Sequence, residues 1–140
     1  MLRLLLALVV IAIAGCAASD PTPPHPVSYS VVDEWPIPNG GFSRVIVIAG
    51  TSATDAGLRA LGDELRYDTR DDRNADIDVF TDSAAAALRD RVFADKASRK
   101  DLAFYDRHFV AVYTRNTNTG FNRLSIMPKG LNGPQTDINY

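Results

Sequence analysis

The side chains best equipped for chemistry lie in the C-terminal half of the chain. His108, with Asp106 two residues before it, could serve as a general base if a carboxylate oriented its ring. Asp82 and Asp106 are the candidates for that carboxylate. The competing role is structural, with the ring bonded to the backbone or to an acid. Arg115 and Arg123, with Lys129 nearby and Tyr113 and Phe121 close in sequence, could gather into a patch for an anionic ligand or partner. Asn116 and Gly120 would shape the adjoining turn. Scattered solvated bases are the alternative, because 15 Lys+Arg stand against 17 Asp+Glu and the formal net charge is −2. That balance argues against nucleic acid as a partner.

Other chemistries fail on residue type or spacing. The aspartates between 68 and 78 suggest a calcium loop, which needs oxygen ligands at positions 1, 3 and 5, glycine at 6 and glutamate at 12. Counting from Asp72 gives Asn74 and Asp76, but Ile77 replaces the glycine and Ser83 the glutamate. A solvated turn, partly neutralised by Arg70 and Arg73, is expected instead. Asp76-Ile77-Asp78 resembles the paired aspartates of haloacid-dehalogenase-type phosphatases only superficially. There the apolar strand precedes the acids and a threonine follows; here the apolar residues run between and after them. Gly50-Thr51-Ser52-Ala53-Thr54 lacks the second glycine of a nucleophile elbow. Neither glycine-rich phosphate loop occurs. Two histidines, one of them (His25) set among prolines, cannot build a histidine-rich zinc site. No metal or cofactor is expected.

The only cysteine, Cys16, has another chemistry. Arg3 gives the N-terminus a positive charge, and Leu4 to Ile13 contains no polar side chain. That run is too short for a hydrocarbon core of ~30 Å, which needs about 20 helical residues. It has the form of an export signal. Ile13-Ala14-Gly15-Cys16 resembles the lipobox of bacterial lipoprotein signal peptides, with Ile13 where leucine is commoner. The resemblance implies removal of residues 1–15, acylation of Cys16 and anchoring to the lipid bilayer of the cell envelope. Two or three acyl chains hold a protein stably where one holds marginally. Ala17 after the cysteine implies the outer membrane, if the host has two. The alternative is an ordinary secretory signal cut after Ala14, leaving a free thiol. Residues 16–27 would form the lipidated cysteine and a tether, in which Pro21, Pro23, Pro24 and Pro26 favour polyproline II.

Residues 28–140 are enough for one globular domain with one core. The pattern predicts an α+β (α/β-like) fold: a mixed sheet of about 4–5 strands with 2–3 helices, ordered β-β-α-β-α-(α)-β-β. Tyr29 to Trp35 is strand-like, and Asn39-Gly40-Gly41 is a turn. Val45 to Ile48 reads as a strand buried on both faces. Leu58, Leu61 and Leu65 form the inner stripe of a helix over about 54–67, capped by Thr54. Ile77 to Thr81 is a strand placed for parallel pairing with the first buried one. Asp82 or Ser83 opens a helix with Ala85, Leu88 and Val92 inside. Ser98 and Asp101 form a capping box for another. His108 then begins the strand Phe109 to Tyr113, and a hairpin leads to a last strand over Phe121 to Ile126.

The segments Phe80 to Ala86, Tyr105 to Asn116 and Asn118-Thr119-Gly120 resemble a recurrent small extracytoplasmic bacterial domain, over roughly residues 45–127. Its members tend to show a His–apolar–Tyr–x–x–Asn strand and a Thr-Gly turn. The resemblance implies fold roles for His108, Tyr113, Asn116 and Gly120, and no catalytic residues. The expected function is a lipid-anchored envelope protein that binds an envelope partner without doing chemistry. The alternatives are a small envelope hydrolase using His108 with an aspartate, and an exclusion or immunity lipoprotein.

Overall fold

A computed structural model describes residues 27–140. Its elements run in the order β1 (Tyr29–Pro36), β2 (Phe42–Ile48), a 3-10 turn (Gly50–Ser52), α1 (Asp55–Asp68), β3 (Asn74–Phe80), α2 (Ser83–Ala86), α3 (Arg89–Phe93), α4 (Arg99–His108), β4 (Phe109–Asn116), β5 (Phe121–Ile126) and β6 (Thr136–Asn139). One mixed sheet holds all the strands in sequence order. β2 and β3, joined through α1, are parallel, and every other neighbouring pair is antiparallel. The α+β class and mixed sheet match the sequence pattern. Among the described residues the strand count is six rather than four or five, because β6 is too short and too polar to give a period of two.

Local chemistry starts each helix where expected. The Thr54 hydroxyl accepts from the Gly57 amide, and Asp82 accepts from Ala84 and Ala85. Ser98 and Asp101 form the reciprocal capping box. The helix expected after Asp82 divides into α2 and α3, yet Ala85, Leu88 and Val92 still face one core. His108 is the last residue of α4, not the first of a strand. The helix continues through it because the amide of Phe109 still bonds to the Tyr105 carbonyl.

The sheet divides two cores. On one face α1 lays Leu58, Leu61 and Leu65 against Ile46, Ile48, Ile77, Val79, Tyr113 and Leu124. On the other, α2 to α4 cover Val45, Phe80 and Phe109, with Tyr105 of α4 stacked on Phe109 at 5.6 Å. A register shift between Val79 and Phe80 puts an extra residue into β4. That bulge lets Phe109 join the second core while Ala111 and Tyr113 join the first. At the β2 entrance Gly41 has φ +114, and a Cβ there would collide with the Asn74 carbonyl. Asn74 is itself fixed by donating to the Gly40 carbonyl at 2.8 Å.

Candidate functional site

The helices of the second core crowd one end of the sheet and leave a polar band beyond it. Side chains alternate along a strand, so residues two apart share a face. The ladder therefore places Asp33, Val45, Asp78, Val112, Ser125 and Asp137 in one row across the sheet, and Trp35, Ser43, Asp76, Thr114, Arg123 and Asn139 in the next. A second register shift, between Val31 and Asp33, turns Asp33 and Trp35 of β1 to this face.

Asp78 sits at the centre of the band with only 7% of its surface exposed. Arg89, the first residue of α3, donates from Nε to its carboxylate at 2.6 Å. The guanidinium carbon lies 4.5 Å from the Trp35 ring centre and 4.6 Å from that of Phe93. Both contacts are within cation–π range. Burial raises the Asp78 carboxyl above the ordinary aspartate value, and the ion pair with Arg89 opposes that rise. The Tyr105 hydroxyl is buried with no hydrogen-bond partner. Burial, then the Asp78 charge, pushes its ionisation upward. On the neighbouring row Thr114 donates to Asp76 at 3.3 Å.

A groove of about 540 Å³ opens here between β1 and α3, lined by Asp33, Trp35, Ile37, Ser43, Asp76, Arg89 and Asp90. Its lining offers carboxylate acceptors, one aromatic surface and one guanidinium shared between Asp78 and Asp90. The arrangement suits recognition of a ligand that brings positive charge or hydrogen-bond donors. Among the described residues no group of His, Cys, Asp or Glu is placed to hold a metal ion.

The residues singled out from the sequence are not assembled into one site. His108 and Asn116 stand at opposite ends of β4, about 25 Å apart at a rise of ~3.3 Å per residue. The His108 Nδ1 lies 2.8 Å from the Thr81 hydroxyl, and Phe104 meets the ring edge-on at 4.8 Å. Asp82 is engaged in capping α2, and Asp106 accepts from the Leu131 amide at 2.7 Å. Among the described residues no carboxylate forms an ion pair with His108. Tyr113 is fully buried, its hydroxyl 3.3 Å from that of Thr69. Asn116 accepts from the amides of Asn118 and Thr119 and so closes the β4–β5 turn. Arg123 lies on the groove face, paired with Asp137 at 3.0 Å, while Arg115 lies on the α1 face. Cys16 and the tether fall outside the described residues.

Nothing local in the sequence marks Trp35 or Arg89, and Asp78, weighed there for calcium and as a phosphatase-like pair with Asp76, is neither in a solvated turn nor, among the described residues, beside a metal-binding cluster. Asp76 is half-buried and Asp78 buried instead. The signal was present: Asp76 and Asp78 flank Ile77 on one strand, so both face away from the core that Ile77 enters. No known protein family matches the chain, and no curated protein or solved structure is significantly similar to it.

Proposed function

We propose that the chain is a lipid-anchored envelope protein whose folded domain acts by binding, with the groove beside Trp35 as its binding surface. The anchor rests on Ile13-Ala14-Gly15-Cys16 and the apolar run before it. The binding role rests on one observation: Trp35 and Arg89, the latter held by the buried Asp78, meet at a groove whose other lining residues are Asp33, Asp76 and Asp90 with Ile37 and Ser43. A pocket that combines an aromatic surface with a few fixed polar groups is the usual form of a recognition site. The partner presents basic groups, because Asp33, Asp76 and Asp90 outnumber the single arginine.

Trp35 is the only tryptophan, so its fluorescence reports the groove alone. Titration of the full-length chain with oligolysine should change its emission saturably, and oligoglutamate should not. Asp76→Asn should weaken the response. Equal responses to both peptides, or none to either, would remove the binding reading. For the anchor, Cys16→Ser should release the protein from the membrane fraction. Retention of that variant in the particulate fraction would contradict acylation.

A hydrolytic reading has one observation in its favour, the 2.8 Å approach of Thr81 to the His108 ring. A hydroxyl beside an imidazole is the core of a nucleophile–base pair. Against it, the Thr81 amide also bonds to the His108 carbonyl at 3.0 Å, which makes the pair a clamp between β3 and α4. Turnover on an esterase, phosphatase and glycan-hydrolase panel that disappears in His108→Ala would establish catalysis.

A further inference from the structure

β1 is the longer of the two sheet edges. It runs eight residues and has a neighbour on the β2 side only, whereas β6 at the other edge runs four. An edge strand turns a row of amide N–H and carbonyl groups outward, a template for another extended chain. Among the described residues no strand pairs with that row on β1, and Val31 and Val32 are exposed. The groove beside Trp35 follows this edge. Asp33, Trp35 and Ile37, spaced by two, line it. Past Asp33 it continues into a pocket of about 250 Å³ bounded by Val32, Val45 and Ala86. Arg89 and Asp90 of α3 border both spaces. From Val32 to Ile37 the chain covers about 17 Å at ~3.3 Å per residue, the length of roughly six extended residues.

The charges along the edge are not balanced. Arg89 is committed to Asp78, and Arg44 to Glu34. Asp33 and Asp76 have no ion-pair partner among the described residues, and the Asp90 side chain is 89% exposed. We infer that the partner binds as an extended basic segment added to β1, its main chain pairing with the free edge and its alternate basic side chains reaching Asp33 and Asp90. This rests on the binding reading of the groove and adds the conformation of the partner. In strand addition the main-chain bonds supply affinity, and pockets for alternate side chains supply selectivity. Charge selects the occupant. A second copy of this chain would bring its own Asp33 and Glu34 to the same edge, and like charges opposed across strands are destabilising. The chain just ahead of β1 carries Pro21, Pro23, Pro24 and Pro26, which lack the amide donors a ladder needs.

The test uses the full-length chain and an octapeptide of alternating lysine and threonine. Trp35 emission reports the groove, and amide hydrogen exchange followed by NMR reports the edge. Saturating peptide should slow exchange of alternate β1 amides by about tenfold or more and leave β6 unchanged. Two further peptides carry N-methyl groups on every lysine amide or on every threonine amide, each blocking one edge of the peptide at unchanged charge. At least one of them should bind about tenfold more weakly, the loss of one or more hydrogen bonds. If both methylated peptides bind as tightly as the parent, or if Trp35 responds while β1 exchange does not, the added strand is overturned and the groove reading stands. If no peptide moves Trp35 emission, the groove reading falls and takes this inference with it. Slow β1 exchange before peptide is added overturns the inference as well: dependence on protein concentration would assign the edge to a second copy, and independence to a segment of the chain itself.

Discussion

Asp78 and Arg89 illustrate why a buried ion pair constrains more than it stabilises. Breaking such a pair by deleting one partner leaves an uncompensated charge, whereas replacing both by apolar groups of similar volume is often neutral. Arg89→Ala should therefore cost about 3–5 kcal/mol in urea unfolding. Asp78→Leu combined with Arg89→Met should recover most of that loss. If the double variant is no more stable than the single one, the pair is not the cause. The titration behaviour of Asp78 follows from its burial. Its pKa is raised on folding, so the folded state holds this proton more tightly than the unfolded chain does. Its contribution favours folding below the unfolded aspartate value and is lost as pH rises through the raised one. Carbon-13 NMR of the carboxyl groups should place the Asp78 midpoint above that of Asp137, whose hydrogen bonds from Gln135 and Ser125 lower it. The reverse order would mean that the Asp78 pocket is wet. Little of this was legible beforehand: the acids were visible, but Arg89 and Trp35 come from other elements, and no local pattern ties them to Asp78.

At the scale of elements, short-range chemistry was far more readable. The caps at Thr54, Asp82 and Ser98 all form as their residue types require, because a cap needs only a side chain and an amide two or three positions away. Ser98→Ala should cost about 1 kcal/mol in thermal or chemical unfolding. A cost near zero would show that the α4 entrance is held by packing alone. β6 is the opposite case. Its place beside β5 depends on side chains from two segments, with Asp137 accepting from Arg123, Ser125 and Gln135. Since the Asp137 pKa is lowered on folding, the stability it gives is present above the unfolded value and lost as pH falls through the folded one. Amide exchange in β6 should therefore accelerate in acid before exchange in the β2–β3 ladder does. Simultaneous acceleration of both would place the weak point elsewhere. The α2–α3 break and the two register shifts were equally invisible, since each is imposed by the packing of a neighbouring element.

For the molecule as a whole, the two sheet faces are held to different tolerances. On the α1 face Gly62 packs directly under the hydroxyl of Tyr140 and against Leu124. Alanine there gains about 1 kcal/mol of helix propensity, but its Cβ would collide with both side chains. Gly62→Ala should lower the melting temperature, and adding Tyr140→Phe should restore part of it; a rise in the single variant would show that α1 can shift outward. On the opposite face, the helices stop short and a polar band remains. The sequence by itself determined the helix caps, the α+β class, the parallel central pair and the elements other than β6 and the α2–α3 division, because each is written in residues a few positions apart. It is also the sole source of the anchor proposal at Cys16. The tertiary structure alone decided which chemistry meets. It brought Trp35, Asp78 and Arg89 to one groove, and it kept His108 away from Arg115 by the length of a strand. Strand register, the bulges and the entry of α3 set those distances, and they arise from contacts between elements far apart in the chain.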